Sequence, residues 1–600
     1  MIGRVQTGNG AERLDAGAFA YEGGILPEDL FTRIFVSQTT NVTLPDNEDM
    51  NKYLGRSFYT SFSTLEDALG YIRSMRKDGK ADDNTHFEIL VAGGTYKPSN
   101  ERTTTAAVPH DQRLYSFDVP QNVSIYGGFV GTEKYTSGSV SSVPGMSDTS
   151  FTNIEGDDKD LTDILNARTY SDFNQNGINE PWELANQTIL SGQINASSTA
   201  QNAYHVVFTD KGTATTVNPV VLDGLTVMNG ETDNQLSKLS ISTDENEQGR
   251  GGGIYSNGVT YTISRCRLLN NTAVRGGAVF VRDADLNLSG CILAGNKTVE
   301  NKATDNTLAS RGGAAYVSGI SKAVNLRAVN TLWANNESAG EGGAIGTNYA
   351  EGVSSSHDPL LYIMNNTFVR NKAITNPVIY THNGKSSIVN TLLWGNLGDT
   401  YQNPTNLSTI YDVSYCASDV DYVGKFASTN QKHNILLSTD NMGDNGPRFT
   451  NPSTVAGVAG NSASSLWNPA AISVLTDAGD GTEHNGDQSN SSETDHTPNG
   501  TTGAYQDWFT ENADVKEAYI TDGNYSRYSG PRGDNNEELC KPIDIGLYEY
   551  QYVSNFSTML KIYVDTLSVG NGSGDSWANA TDDLRGAIVG ASNPTVQAGT

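Results

Sequence analysis

The sequence predicts an all-β fold in which short strands stack into a parallel β-helix. A chain of 600 residues exceeds what one ordinary hydrophobic core organises, unless the core is elongated and grows by repetition. Residues 249–400 carry such a repetition, and its units hold short alternating apolar runs rich in β-branched and aromatic residues. These two observations favour a solenoid over a globular domain.

Two motifs mark each repeat unit. The first is a glycine-rich start, which occurs as GGGIYS (251–256), GGAVFV (276–281), GGAAYV (312–317), GGAIGT (342–347) and the degenerate PVIYTH (377–382). The second follows the rule L/F-x-x-N and pairs Leu268 with Asn271, Leu293 with Asn296, Leu332 with Asn335, Phe368 with Asn371 and Leu393 with Asn396. The asparagine intervals (296 − 271 = 25, 335 − 296 = 39, 371 − 335 = 36 and 396 − 371 = 25) indicate a 25-residue unit that insertions lengthen twice.

The length of this unit selects the type of solenoid. A coil of about 25 residues holds three short strands and three turns, and successive coils pair in parallel at about 4.8 Å. The glycine pairs suit turns with positive φ, and asparagine side chains can hydrogen-bond from coil to coil. The leucine or phenylalanine of each unit is therefore expected in one buried file, made of Leu268, Leu293, Leu332, Phe368 and Leu393.

The position two residues before each member of that file alternates to the same, inward side. It is occupied by Cys266, Cys291, Asn330, Asn366 and Thr391. Cys266 and Cys291 then become neighbours in successive coils, an arrangement compatible with buried free thiols or with a disulfide. Cys416 and Cys540 lie outside the repeat and are either free or paired.

The segments before the repeat predict a cap and early coils. STLEDALGYIRSMRKDG (63–79) has a helix-capping Ser or Thr, acidic residues in its first turn and an apolar face, so it is expected to cover the open end of the solenoid. FEILVAGGTY, VSIYGGF, TILSG and VVLDGLTV predict early strands. From 400 to 545 the pattern loosens into polar loops, of which 477–503 is the longest.

The GGA-[IVA] and [FL]-x-x-N motifs resemble the repeats of polymorphic outer-membrane proteins and related bacterial surface proteins. This resemblance implies a right-handed parallel β-helix of the pectate-lyase-like kind and an extracellular, cell-surface setting. It also implies export by a Gram-negative surface pathway such as type IX secretion. It implies no single chemistry.

A much longer period relates the two ends of the chain. LDAGAFAYE aligns with IDIGLYEYQ when Asp15 is placed on Asp544, and RIFVS (33–37) aligns with KIYVD (561–565). We therefore expect residues 1–24 to be the tail of one β-helix module and 556–600 to begin another. Residues 25–555 would be a complete module, with a cap at 30–100, regular coils at about 120–400 and loop-rich final coils at 400–550. The start MIGRVQTGNG does not form a signal peptide, as expected for a segment of a longer tandem protein.

The charge and the motifs restrict the function. A net charge of −29 disfavours nucleic acid and anionic membranes as partners, and no apolar run approaches the roughly 18 residues that span a bilayer. The catalytic strings expected of pectin hydrolases (G-H-G and R-I-K) and pectate lyases (R-x-P-x-x-R) do not occur, and the eight histidines lack zinc-binding spacing. Asp157–Asp158 is the one acidic pair expected on a coil, and a solvated turn is the alternative to a catalytic role for it. Arg250, Arg275 and Arg311 are expected to form an exposed basic stack, which either serves a ligand or catalysis or balances charge on the acidic surface. The sequence thus predicts a non-enzymatic protein, with a polysaccharide lyase or glycoside hydrolase as the alternative.

One segment matches a metal-binding template. DFNQNGINEPWE (172–183) fits the calcium loop D-x-[DN]-x-[DN]-G-x5-E, although no helices are expected on either side. The expected ligands are Asp172, Asn174, Asn176, the Ile178 carbonyl and bidentate Glu183, with Glu180 or a water in the ninth position. The alternative is a turn rich in Asn and Asp that matches by chance. A structural calcium ion is the cofactor that this loop predicts.

Together these features predict a structural or adhesive segment of a giant extracellular bacterial surface protein, which forms a stiff stalk or filament. The expected partners are further copies of the module in the same chain, with oligomerisation into a filament and a glycan or cell-surface ligand left open. A polysaccharide-degrading or glycan-binding β-helix is the alternative, and clustered carboxylates beside aromatic platforms would favour it.

Overall fold

The computed structural model describes residues 30–39, 54–99, 112–133, 161–175, 179–194, 202–232, 249–300, 310–349, 359–381, 385–400, 411–420, 434–443, 445–469, 473–475, 546–547 and 563. Several predictions lie outside this part of the chain: the tail at 1–24, all of 556–600 except Tyr563, the polar excursion at 477–503, the pair Asp157–Asp158, and Cys540.

The elements are short and follow one another closely. Helices α1 (Leu65–Lys77) and α2 (Leu161–Asn166) lie in the first third, and single 3-10 turns occur at Gln112–Leu114 and Val458–Gly460. The early strands are β1 (Arg33–Val36), β2 (Phe87–Ala92), β3 (Gly94–Tyr96), β4 (Phe117–Asp118), β5 (Val123–Phe129), β6 (Thr188–Ser191), β7 (Val207–Asp210), β8 (Val220–Asp223) and β9 (Leu225–Met228). The repeat begins with β10 (Ile254–Asn257), β11 (Tyr261–Ser264), β12 (Arg267–Leu269), β13 (Thr272–Ala273), β14 (Val279–Arg282), β15 (Leu286–Ser289), β16 (Ile292–Ala294), β17 (Lys297–Thr298), β18 (Ala315–Gly319), β19 (Asn325–Val329) and β20 (Leu332–Ala334). The remaining strands are β21 (Ile345–Tyr349), β22 (Leu360–Met364), β23 (Thr367–Val369), β24 (Lys372–Thr375), β25 (Ile379–Tyr380), β26 (Lys385–Val389), β27 (Leu392–Trp394), β28 (Leu397–Thr400), β29 (Tyr411–Ser414), β30 (Ala417–Ser418), β31 (Ile435–Leu436), β32 (Phe449–Asn451) and β33 (Leu466–Pro469).

Three long parallel sheets form the solenoid and confirm the predicted fold class. Sheet 1 has ten strands in the order β1-β2-β5-β8-β11-β15-β19-β22-β26-β29. Sheet 2 also has ten, in the order β3-β6-β9-β12-β16-β20-β23-β27-β30-β31, and sheet 3 has seven, in the order β25-β21-β18-β14-β10-β7-β4. Each coil of the repeat contributes one strand to sheet 3, then one to sheet 1, then one to sheet 2. Strands β29, β30 and β31 continue the stack past residue 400.

In the third unit, the structure differs from the prediction both in the buried file and in the asparagine ladder, the column of asparagines that hydrogen-bond from coil to coil. Leu268 pairs with Leu293 as expected, but Leu293 pairs with Trp333, which pairs in turn with Phe368. The ladder therefore continues from Asn296 to Asn336, with the Asn296 Nδ2 donating to the Asn336 Oδ1 over 3.1 Å. The predictions of Leu332 in the inward file and Asn335 in the ladder were wrong by one residue.

Tryptophan fits the third unit because its ring finds partners inside the core. The Trp333 ring stacks on Phe368 with centroids 5.4 Å apart, and its Nε1 donates to the Asn366 Oδ1 over 2.9 Å. The same shift places Thr331, instead of the expected Asn330, at the inward position two residues before Trp333. Asn330 and Asn335 both adopt positive φ, at the corners of the coil.

Three cysteines in the described part of the chain are buried in the core. Cys266, Cys291 and Cys416 form no disulfide, so the disulfide alternative for Cys266 and Cys291 is not adopted. Cys416 continues the series of inward positions in the repeat, contrary to expectation, because its Sγ accepts the backbone N–H of Thr391 in the preceding coil. Burial raises the pKa of the Cys291 thiol to about 12.

Helix α1 caps the solenoid as predicted. The Thr64 side chain accepts the backbone N–H of Asp67 over 3.1 Å, which fixes the start of the helix. Leu65, Leu69 and Ile72 are fully buried in the main core cluster. Because α1 lies in the chain between the paired strands β1 and β2, it covers the end of the stack where sheet 1 begins.

The arginine stack is not the exposed feature that was expected. On the outer face of sheet 3, the rings of Phe208, Tyr255, Phe280 and Tyr316 stack in successive coils, with centroids 5.3–5.6 Å apart. Three arginines lie over rings of later coils: Arg250 over Phe280, Arg275 over Tyr316 and Arg311 over Tyr380. Arg275 is buried and the other two are half-buried. Sequence alone did not show that an aromatic file runs beside them.

Candidate functional site

The predicted calcium loop closes on itself at the outer surface of the solenoid. Tyr170 and Leu184 form an antiparallel bridge, and the Ser171 N–H donates to the Glu183 carbonyl over 2.9 Å. A second turn brings the Glu183 N–H to the Glu180 carbonyl over 2.8 Å. The chain therefore folds back so that its acidic end faces the segment that begins at Asp172.

Three of the predicted ligand side chains meet inside this loop. The Glu183 carboxylate accepts the Phe173 N–H (3.2 Å) and the Glu180 N–H (3.3 Å). The Asn174 Nδ2 lies 3.2 and 3.4 Å from the two carboxylate oxygens of Glu180. Both glutamates are buried. Asn176 and Ile178 lie outside the described residues.

Burial and mutual repulsion govern the charge of this pair. Desolvation raises the pKa of the Glu183 carboxyl well above its usual range, and the neighbouring Glu180 raises it further. Asp172 adds a smaller repulsion of the same sign. Burial and repulsion therefore favour the protonated form of Glu183 when no cation is bound.

A cationic residue that the sequence did not single out faces the pair. Arg267 on β12 is half-buried, and desolvation lowers the pKa of its guanidinium, while the charges of Glu183 and Glu180 oppose that shift. Among the described residues, no group lies within hydrogen-bond distance of its buried Nε. Its place on the outward side of a strand in the repeat was visible in the sequence. Its proximity to a loop about ninety positions earlier was not.

The loop supplies part of the set of oxygen donors that a calcium ion requires. Calcium is held by six to eight oxygens from carboxylates, amides, carbonyls and water. The two carboxylates and the Asn174 amide supply oxygens of this kind, since the amide can be turned to present Oδ1. Within the described ranges, however, no three His, Cys, Asp or Glu side chains are grouped to chelate a metal ion. The Asp172 carboxylate would have to move towards the pair to complete a cage.

Two aromatic side chains lie at the surface of the same loop. Tyr170 is 39% exposed and Phe173 is 43% exposed, whereas Trp182 is buried in an apolar cluster on the outer face of sheet 2. The backbone N–H of Phe173 is held by the Glu183 carboxylate. The loop therefore combines a buried acidic interior with an aromatic exterior.

Comparison of the chain with protein-family models, curated proteins and solved structures finds no match. In the part of the chain that the structure describes, no helix is both long and apolar enough to cross a bilayer. The solenoid and this loop are therefore the features from which a function can be inferred.

Proposed function

We propose that this chain is a structural and adhesive segment of an extracellular bacterial surface protein, in which tandem β-helix modules form a stiff stalk. The observation that carries the proposal is the elongated core. The ten strands of sheet 1, at about 4.8 Å each, extend for about 40 Å along one axis, and a single core cluster runs from Phe31 to Cys416. Such a body transmits load along its length, and its acidic surface keeps it soluble.

Localisation and attachment test this proposal together. Antibodies to the purified chain should label intact cells of the source organism, and deletion of the gene should reduce attachment to a surface to which the purified chain binds. Labelling only after cell lysis, with attachment unchanged by the deletion, would contradict the proposal. Release of sugars from a polysaccharide panel by the purified chain would support the enzymatic alternative instead.

We further propose that the loop 172–183 binds a structural calcium ion through Glu180, Glu183, Asn174 and Asp172. Two buried carboxylates held against each other favour a divalent cation, because the ion replaces repulsion with two attractions. Millimolar calcium outside the cell suffices for a site of modest affinity. At a hundredfold excess over its dissociation constant, calcium would stabilise the native state by about 2.7 kcal/mol.

Calorimetric titration and thermal unfolding of the whole chain test the calcium site. Calcium should raise the unfolding temperature, and magnesium should do so much less because it demands octahedral geometry. Glu183→Gln should abolish most of the gain, while Asp210→Asn, at an exposed acid on the solenoid wall, should retain it. An equal calcium effect in the wild type and in Glu183→Gln would exclude this loop as the site.

The exposed rings of Tyr170 and Phe173 favour one second candidate, a glycan-binding loop. Sugar rings bind on exposed aromatic faces with their hydroxyl groups near carboxylates or a bound cation. Tyr170→Ala and Phe173→Ala should then weaken binding to a glycan array without lowering thermal stability. Unchanged array binding in both variants would leave the stalk function as the sole proposal.

A further inference from the structure

Residues 161–175 and 179–185 leave the path of the coils and lie on the outside of the solenoid. Their first contact is made by helix α2, whose Ile164 is fully buried in a cluster with Phe35, Leu90 and Tyr126. These three side chains belong to β1, β2 and β5, the first three strands of sheet 1. The segment therefore begins by packing across the amino-terminal coils.

A buried ion-pair chain extends this contact along the sheet. The Arg168 Nη1 donates to the Gly127 carbonyl over 2.9 Å and to the Asp223 carboxylate over 2.7 Å. Asp223 also accepts two hydrogen bonds from Arg265, of 2.9 and 2.6 Å. Gly127, Asp223 and Arg265 lie at the same corner of three successive coils, those of β5, β8 and β11. One side chain of the segment thus joins all three coils through a shared carboxylate.

Asp223 is charged in spite of its burial. Desolvation by itself would raise the pKa of this carboxyl, but Arg265 and Arg168 lower it below its usual value. A buried carboxylate with two guanidinium partners loses much stabilisation when one of them is removed. The chain of ion pairs is therefore an energetic link between the coils and the segment.

Close packing fixes the other side of the segment. The Leu184 side chain lies so near Gly128 and Gly224 that a Cβ at either glycine would stand about 2.6 or 2.5 Å from its Cδ1. Both glycines have positive φ, so the corner of each coil is shaped to receive this leucine. Trp182 then packs in the cluster on the outer face of sheet 2 that includes Leu269 and Ile292.

We propose that residues 161–185 act as a strap that binds the coils of β1, β2, β5, β8 and β11 into one cooperative unfolding unit. In a solenoid without such a link, coils interact only with their neighbours, and the end can open one coil at a time. The strap contacts coils that are not neighbours, so opening one of them requires release of the strap from all. The strap therefore protects the amino-terminal end of the stack, where β1 is the edge strand of sheet 1, against opening. The strap rests on the proposed stalk role and includes the calcium loop, but the contacts of Ile164, Arg168 and Leu184 with the coils involve none of the four proposed calcium ligands.

Amide hydrogen exchange on the full chain, measured by mass spectrometry, tests the strap. In the wild type, β2, β5, β8 and β11 should share one opening free energy. Arg168→Met leaves Asp223 paired with Arg265, and it should speed exchange in all four strands by roughly ten- to hundredfold. Arg327→Met removes an Arg–Asp pair of 3.0 Å between later coils of the same sheet, and its effect should stay in β15 and β19.

Two further variants decide the outcome. Leu184→Ala perturbs the strap without touching a charge, and it replaces Arg168→Met if that variant does not fold. Trp182→Ala removes the contact with the outer face of sheet 2, at the end of the strap away from α2, and it should speed exchange in the same four strands. Faster exchange confined to residues 161–185, or to β8 alone, would overturn the proposal and leave the segment a passive insertion. The calcium and adhesion experiments can fail without affecting this result, and this test can fail without affecting them.

Discussion

The asparagine ladder offers a direct test of the register in the third unit. Asn336 is fully buried, and its Nδ2 donates to the Leu293 carbonyl (2.9 Å) and the Asn371 Oδ1 (3.0 Å). Its Oδ1 accepts the backbone N–H and the Nδ2 of Asn296, each over 3.1 Å. Asn336→Ala removes all four hydrogen bonds. The Asn296 N–H and the Leu293 carbonyl lose this buried partner, whereas the Asn296 Nδ2 keeps the Leu268 carbonyl and the Asn371 Oδ1 keeps the backbone N–H of residue 336.

The magnitude follows from the groups left unpaired. Each lost hydrogen bond costs about 1 kcal/mol net, and each buried orphan adds about 1–3 kcal/mol, reduced where water enters. We expect Asn336→Ala to lower the free energy of unfolding by about 4 kcal/mol. The neighbouring Asn335 adopts φ of 54° and donates from its Nδ2 to the Val455 carbonyl over 2.9 Å. Asn335→Gly accepts that φ and should cost only about 1 kcal/mol.

Urea unfolding followed by tryptophan fluorescence measures the difference, and hydrogen exchange in β16, β20 and β23 localises it. The decisive quantity is the ratio between the losses of unfolding free energy in Asn336→Ala and in Asn335→Gly. If Asn335→Gly were as costly as Asn336→Ala, the ladder would pass through Asn335 and the register described for Trp333 would be wrong.

Three other outcomes are expected. Gly252→Ala should destabilise the chain by more than about 2 kcal/mol in urea unfolding, because its Cβ would stand 2.4 Å from the Thr272 carbonyl oxygen. The control Gly70→Ala lies in open space on α1 and should stabilise the chain by about 0.5–1 kcal/mol. Burial raises the pKa of Glu66 to about 7 from 4.5. The native state therefore favours the neutral carboxyl, and stability that is full below pH 4.5 should be lost as the pH rises to 7, by about 3 kcal/mol. Unfolding curves of Glu66→Gln across that range should lack this loss, and equal slopes in both proteins would refute the assignment. The three described thiols should resist alkylation, read by peptide mass spectrometry, until denaturant is added; labelling of the folded chain would contradict their burial.

The repeat was predictable because the residues that recur with its period are ones that the backbone of each coil requires. Glycine at the corner before β10, β14, β18 and β21 allows the positive φ of that corner, and asparagine in the ladder supplies hydrogen bonds between coils, so both residue types recur with the coils. The helix α1 was predictable for a similar reason, because its cap and apolar face are local in sequence.

The third unit was misplaced because its local sequence, TLWANN, satisfies the spacing twice. Leu332 with Asn335 and Trp333 with Asn336 both fit a spacing of three, and the insertions before and after hide the difference of one residue. The size of the neighbouring side chains decides between them. A tryptophan in the inward file stacks on Phe368, while Leu332 packs in the outer cluster with Trp394 and Phe449.

The candidate loop was predictable as a motif but its surroundings were not. Spacing alone identified Glu180 and Glu183, and their convergence follows from the turn between them. The approach of Arg267 and the burial of Trp182 depend on where residues 161–185 rest on the solenoid, which no local pattern encodes.

The unequal coils carry a consequence for protein design. The coil that separates Asn271 from Asn296 has 25 residues and the next has 40. In both, the asparagine at the end of the coil still hydrogen-bonds to the asparagine of the preceding coil. Most of the extra residues lie between Val299 and Ser310, whose hydroxyl donates to the Val299 carbonyl over 2.7 Å. That corner is closed by its own hydrogen bond, so foreign peptides grafted between these two residues should leave the rest of the chain unchanged. The solenoid therefore provides a ready platform for presenting epitopes at a fixed height along a rod.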